Sequence, residues 1–292
     1  MRLDHVTNRA LPPDTPSLLG VRTRAGTPLH YRIDGDPGAP LVACTHGVSL
    51  NRHALAPQVP ALLAAGYRVL TWDVRGHGES QPSGVGITLA STAADLLALL
   101  DAAEAPEAAL IGQSFGGFVS QEVFAQAPGR VRALVMLGTP ALGDAPGPVM
   151  RRLHRLRIPL LYGWPDRHLR RTFAALVTDD PALRAFMLQA GRAVTKPDLI
   201  ATSRAAISAL VDAAGTPTGE TPVLLVRGEH EETLVSRSTA AWARRCPGTE
   251  EVIIPGVGHL VNLEAPEACN AALLTFLTRV LPVDPADRPM RA

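Results

Sequence analysis

The sequence predicts an α/β fold, a mostly parallel sheet with helices on both faces. Three observations carry that expectation. From Leu41 onward, short apolar runs alternate with stretches of helical periodicity. The runs are apolar throughout, as strands buried on both faces must be. A chain of 292 residues that is 46% hydrophobic also has the material for one large core. Aromatic residues make up only 4% of the chain, so alanine, leucine and valine must build most of that core.

Residues 1–17 are rich in proline and polar side chains and read as an arm. Leu18–Arg22 and Leu29–Asp34 read as strands of an edge hairpin turned at Ala25-Gly26-Thr27. Leu41–Thr45 is a buried strand, Gln58–Ala65 a helix stopped by Gly66, and Arg68–Trp72 the next strand. Leu89–Ala103 is a helix whose broad apolar face comes from Leu96, Leu97, Leu99 and Leu100. The strands Ala108–Ile111 and Val131–Leu137 follow, with a helix from Phe118 between them. Near the C-terminus, the strands Val223–Val226 and Glu250–Ile254 are accompanied by the helices Ser238–Arg245 and Pro266–Leu281. This alternation is the pattern of a parallel sheet sandwiched by helices.

Residues 139–215 break the rhythm. They contain no convincing strand, and Pro146, Pro148, Pro159, Pro165, Pro181 and Pro197 divide them into about four short helical pieces. Val149, Met150, Leu153 and Leu156 form one apolar stripe, and Leu169, Phe173, Leu176 and Val177 another. Arginines occupy the opposite sides: Arg151, Arg152, Arg155 and Arg157, then Arg167, Arg170 and Arg171. The block is expected to cover the C-terminal edge of the sheet, where sites in open α/β sheets lie.

A net charge of +1 argues against a nucleic-acid partner. No run of about 20 apolar residues offers a membrane span. The N-terminus lacks the apolar stretch of a signal peptide, so the expected location is cytoplasmic. Cys44, Cys246 and Cys269 are too widely spaced for a disulfide framework or a zinc site, and Cys44 reads as a small core residue.

The chemistry is signalled by Gly112-Gln113-Ser114-Phe115-Gly116, followed by Gly117. A strand precedes this Gly-x-Ser-x-Gly and a helix follows it. A serine at such a turn stands clear of the strand end with a helix N-terminus directed at it. Ser114 is therefore the candidate nucleophile. A serine hydroxyl needs a base, and the base an orienting acid. His259, in Gly256-Val257-Gly258-His259, is the candidate base, late in the chain and flanked by glycine. The acid is expected in the loop after Val223–Val226, which reads Gly228-Glu229-His230-Glu231-Glu232 and contains no aspartate. Glu231 is the first choice, Glu232 the alternative and Glu229 the third, with Asp144 a candidate from another loop. An oxyanion hole needs two backbone N–H groups. Those of Phe115, after the nucleophile, and Val48, in His46-Gly47-Val48-Ser49, are the candidates.

With Ser114, an acid and His259 in that order, the chain resembles the α/β-hydrolase superfamily. His46-Gly47 matches its oxyanion loop, and Asp73-Val74-Arg75-Gly76-His77-Gly78-Glu79-Ser80 is similar to its Asp-x-Arg-Gly-x-Gly-x-Ser segment. The resemblance spans residues 18–282 and implies an eight-stranded, mostly parallel sheet with a helical cap inserted after strand 6. The core would be residues 18–138 and 216–282, the cap 139–215, and residues 283–292 a tail. It implies structural roles for Asp73, Arg75 and His77. The usual acid there is an aspartate in Gly-x-x-Asp, where this chain has Gly228-Glu229-His230-Glu231. Haloalkane dehalogenase and epoxide hydrolase mechanisms need an aspartate at position 114 and are set aside.

The expected function is hydrolysis of an ester, lactone or thioester of a small, largely apolar substrate, with neither metal nor organic cofactor. Trp164, Phe173, Phe186, Met187 and Leu260 are the candidate pocket residues. The same triad could serve a cyclase, acyltransferase, perhydrolase or C–C bond hydrolase, and the fold could also carry a small-molecule receptor. The arginines of the cap raise the idea of a carrier-bound thioester, against the simpler reading of a solvated helix face. Oligomeric state is not legible.

Overall fold

The computed structural model describes residues 15–142, 160–212, 219–231, 235 and 242–283. The apolar stripe at 149–156 and the first part of the helix expected at 238–245 lie outside these residues, as does nearly all of the arm and tail.

The sheet has eight strands in the order β1-β2-β4-β3-β5-β6-β7-β8. They are β1 (Ser17–Arg24), β2 (Thr27–Asp34), β3 (Leu41–Thr45), β4 (Arg68–Trp72), β5 (Ala108–Gln113), β6 (Val131–Leu137), β7 (Val223–Gly228) and β8 (Thr249–Ile254). The pairs β1–β2 and β2–β4 are antiparallel, and every later pairing is parallel. The β1–β2 hairpin turns on Ala25 and Gly26, both at positive φ, which matches the twist of the flanking strands.

The continuous apolar runs divide by alternate residues between two cores. In β5, Ala108 and Leu110 join one core, while Ala109 and Ile111 join the other. In β6, Leu134 and Met136 part in the same way from Val135 and Leu137. The first core is roofed by α2 (Leu89–Ala102) and α3 (Phe115–Gln126), through Leu96, Leu99, Phe118 and Val123. The second is roofed by α1 (Val59–Ala64) and the C-terminal helix α8 (Pro266–Val280), through Leu62, Leu63, Leu273 and Phe276. Each such side chain, fully withdrawn from water, contributes about 1.5–3 kcal/mol. Thr88 and Ser91 close a reciprocal capping box at the start of α2, which fixes where that helix begins.

Between β6 and β7, the described residues hold α4 (Asp166–Val177), α5 (Pro181–Gly191) and α6 (Lys196–Asp212). The prolines here start helices rather than divide them. Pro165 precedes α4, Pro181 opens α5, and Pro197 is the second residue of the 17-residue α6. At those positions the missing N–H would have had no partner within the helix. One side chain departs from the expected stripe: Leu176 is 79% exposed, while Leu169 is buried.

Candidate active site

The turn at Ser114 is built by sterics. Ser114 has φ 52° and ψ −115°, a strained conformation for a residue with a Cβ. Its N–H is held by Leu137 O at 2.9 Å. The glycines around it are required by close approach. A Cβ on Gly112 would stand 2.3 Å from the Gly116 backbone, and one on Gly116 would stand 2.1 Å from Thr45 O. The turn can therefore pack α3 directly against β3. Thr139, a residue the sequence reading did not single out, donates its hydroxyl to Ser114 O at 3.0 Å.

Ser114 Oγ lies 2.9 Å from His259 Nε2, and His259 Nδ1 is hydrogen-bonded to Glu231 Oε1. A carboxylate can only accept, so Nδ1 carries the proton and Nε2 is left to accept from the serine. The Glu231 side chain is almost wholly buried, which leaves it a specific partner rather than water. It fits because residue 138 is glycine: a Cβ there would lie 3.0 Å from both carboxylate oxygens. Glu229 is turned away, with its Oε2 accepting from Gly256 N–H at 2.9 Å. The alternatives Glu232 and Asp144 lie outside the described residues. The structure thus brings Ser114, His259 and Glu231 together from three separate loops.

The loop after β3 passes directly beside Ser114. A Cβ on Gly47 would come within 3.2 Å of Ser114 Cβ and 2.3 Å of Gln113 Oε1. The adjoining Val48 lines the same cavity as Ser114. The loop is fixed from behind by two buried histidines. His46 Nε2 accepts from Val74 N–H at 3.0 Å, and His77 Nε2 from Ser49 N–H at 3.3 Å. Both Nδ1 groups then carry protons, which His46 donates to Gly47 O and His77 to Arg75 O. Burial pushes the His46 pKa down to about 4. Burial, with His46 nearby, pushes His77 down to about 3. Asp73 accepts from the backbone N–H of Arg52 at 2.7 Å and of Glu79 at 2.9 Å, and is paired with the Arg52 guanidinium. Asp73, Arg75 and His77 therefore stand behind the site rather than in it.

In front of Ser114 opens a cavity of about 810 Å³. Phe118, Phe173, Ala206, Ile207 and Leu210 give it an apolar wall, and His230, Glu264 and His259 lie on its lining. The lining includes no lysine or arginine among the described residues. Of the five expected pocket residues, Phe173 and no other lines this cavity. Phe186, Met187 and Leu260 are buried members of the second core, so their apolar character serves packing. Trp164 is 39% exposed, its ring centroid 5.5 Å from that of His168. Of the cap arginines, Arg170 is engaged with Asp166 and with the carbonyls of Gly191 and Val194. Arg167 and Arg171 are exposed, and Arg151, Arg152 and Arg155 lie outside the described residues. Cys44, Cys246 and Cys269 are buried, and burial pushes the Cys44 and Cys269 thiols up to about 12. They are not nucleophiles.

Sheet order, strained serine turn and relay geometry define an α/β hydrolase. The chain belongs to that family: the family model described as alpha/beta hydrolase fold matches residues 40–202. It is similar, at 29% identity over 87% of its length and 97% of the relative's, to a protein of Variovorax paradoxus named as carbamate hydrolase RutD. It is also 29% identical to epoxide hydrolase A of Mycobacterium tuberculosis, over 84% of this chain and 92% of that one. A solved structure of a hydrolase from Pseudomonas aeruginosa superposes with a TM-score of 0.76 at 28% identity, covering 89% of this chain and 98% of that one. No helix among the described residues is long and apolar enough to cross a membrane.

Proposed function

We propose that the chain is a serine hydrolase that cleaves an ester, lactone or thioester of a small, largely apolar substrate. The observation that carries this is the continuous relay from Ser114 Oγ through His259 to Glu231. Ser114 attacks the carbonyl carbon while His259 Nε2 takes its proton, and Glu231 stabilises the imidazolium that forms. The oxyanion is received by the N–H groups of Val48 and Phe115. His259 returns the proton to the leaving group. Water, activated in the same way, then releases the acyl group from Ser114.

The relative named for epoxide hydrolysis suggests a different reaction. Opening an epoxide through an ester intermediate needs a carboxylate nucleophile, and this chain has a serine at that position. The apolar wall of the cavity supports an uncharged acyl group. Among the described residues the lining holds no lysine or arginine, which favours a free substrate over a phosphate-bearing carrier.

Intact mass after treatment with a fluorophosphonate probe tests the reading. Wild type should gain one adduct, Ser114→Ala none, and Glu231→Gln should react more slowly by about 10² or more. A folded wild type that takes up no probe overturns it.

A further inference from the structure

The geometry points to Glu264 as a positioning residue for the base, acting through the peptide N–H that precedes His259. The inference rests on the reading of His259 as the base.

The segment Gly256-Val257-Gly258-His259 has little side chain with which to pack itself, and Gly256 sits at φ 71°. Its shape must be imposed from outside. It lies directly on the end of β7, where a Cβ on Gly228 would stand 2.2 Å from Val257 O. His230 N–H donates to Val257 O at 3.0 Å. On the following residue, Gly258 N–H donates to Glu264 Oε2 at 2.6 Å, a short charge-assisted bond. Glu264 closes the helical turn α7 (Val261–Glu264), which starts two residues after His259.

That turn is anchored independently. Asn262 Nδ2 donates to Ala54 O at 2.8 Å and to Gln58 Oε1 at 3.1 Å, and Gln58 Nε2 donates back to Asn262 O at 3.0 Å. The Glu264 carboxylate thus reaches back from a fixed element to hold the Val257–Gly258 peptide, one peptide before the one that carries His259. Its other oxygen, Oε1, is buried without a hydrogen-bond partner, so Oε2 on Gly258 is the contact that accounts for a carboxylate here. Without that contact, the loop that sets the 2.9 Å separation between His259 Nε2 and Ser114 Oγ keeps the bond from His230 N–H to Val257 O, that from Gly256 N–H to Glu229 Oε2 and those of His259 itself.

The test compares Glu264→Ala and Glu264→Gln with wild type in two measurements. The first is amide exchange at Gly258, which needs no turnover. It should be slow in wild type and in Glu264→Gln, whose amide oxygen can still accept, and faster by about tenfold or more in Glu264→Ala. The second is steady-state kinetics on an activated ester. The alanine variant should lose about 10² in kcat with KM within a few-fold, and the glutamine variant should recover most of that loss.

Unchanged exchange at Gly258 in a folded alanine variant overturns the proposal, as does a rise in KM with kcat intact. If Glu264→Ala does not fold, the glutamine variant decides: an unprotected Gly258 amide in that protein overturns it. Because exchange is read without catalysis, a wild type inert to the fluorophosphonate would sink the hydrolase reading and leave this contact separately measured.

Discussion

Arg75 and Asp95 form a bidentate ion pair with both side chains fully buried: Nε to Oδ2 and Nη2 to Oδ1, each at 2.6 Å. Arg24 adds a third bond to Asp95 at 2.8 Å, and Arg75 Nη1 reaches Gly86 O at 3.0 Å. The pair ties the segment after β4 to α2, and so supports the histidines that brace the loop after β3.

Removing one member of such a pair leaves an uncompensated buried charge. Asp95→Ala should cost about 3–5 kcal/mol of stability, measured by urea denaturation. The double variant Asp95→Leu with Arg75→Met should lose much less, because the one charge it leaves unpaired, Arg24, is partly exposed. Equal losses in the two proteins would show that packing, not charge, dominates at this position.

The two buried histidines make the fold sensitive to acid. Both are neutral when folded, with pKa values of about 4 for His46 and about 3 for His77, against 6.5 for the free side chain. Below pH 6.5 the unfolded chain therefore binds protons that the native state refuses. Their stabilising contribution is complete above about pH 6.5 and is lost as pH falls through the folded values. Each adds a slope approaching about 1.4 kcal/mol per pH unit in that window. Urea midpoints at pH 7.5, 5.5 and 4.5 should show the fall, and His77→Gln should flatten it. An identical slope in that variant would remove His77 from the account.

Gly47 and Gly116 are both required by close approach, but for different ends. A methyl at 116 meets the backbone of Thr45, so Gly116→Ala should lower the thermal midpoint sharply. A methyl at 47 meets the side chain of Gln113 and the edge of Ser114. Gly47→Ala should fold and displace the adjoining Val48 N–H, with kcat down by about 10² and the midpoint nearly kept. Wild-type kcat in Gly47→Ala would place the oxyanion donor elsewhere.

The strands were legible because a parallel sheet needs unbroken apolar runs, and loops cannot imitate them. Glycine settings singled out Ser114 and His259, and the structure brings their side chains within 2.9 Å. The acid was harder to read. Glu229 and Glu231 differ in nothing local, and they separate only through a bond from Gly256 to Glu229 and the space that Gly138 leaves for Glu231. The pocket was mostly illegible. An apolar stripe shows that a helix face is buried without showing what it meets, so Phe186 and Met187 look like lining and turn out to be core. Glu264 gave no signal of its own, since its role depends on a turn that folds it back onto Gly258.

The left-handed backbone at Ser114 sets stability and reactivity against each other at a single position. Glycine would enter φ 52° without penalty, so the substitution that best relaxes this turn is the one that deletes the reactive oxygen. Selection for robustness alone would drift toward an inert chain here. A serine held in that conformation is a standing cost to the fold that a glycine would not carry.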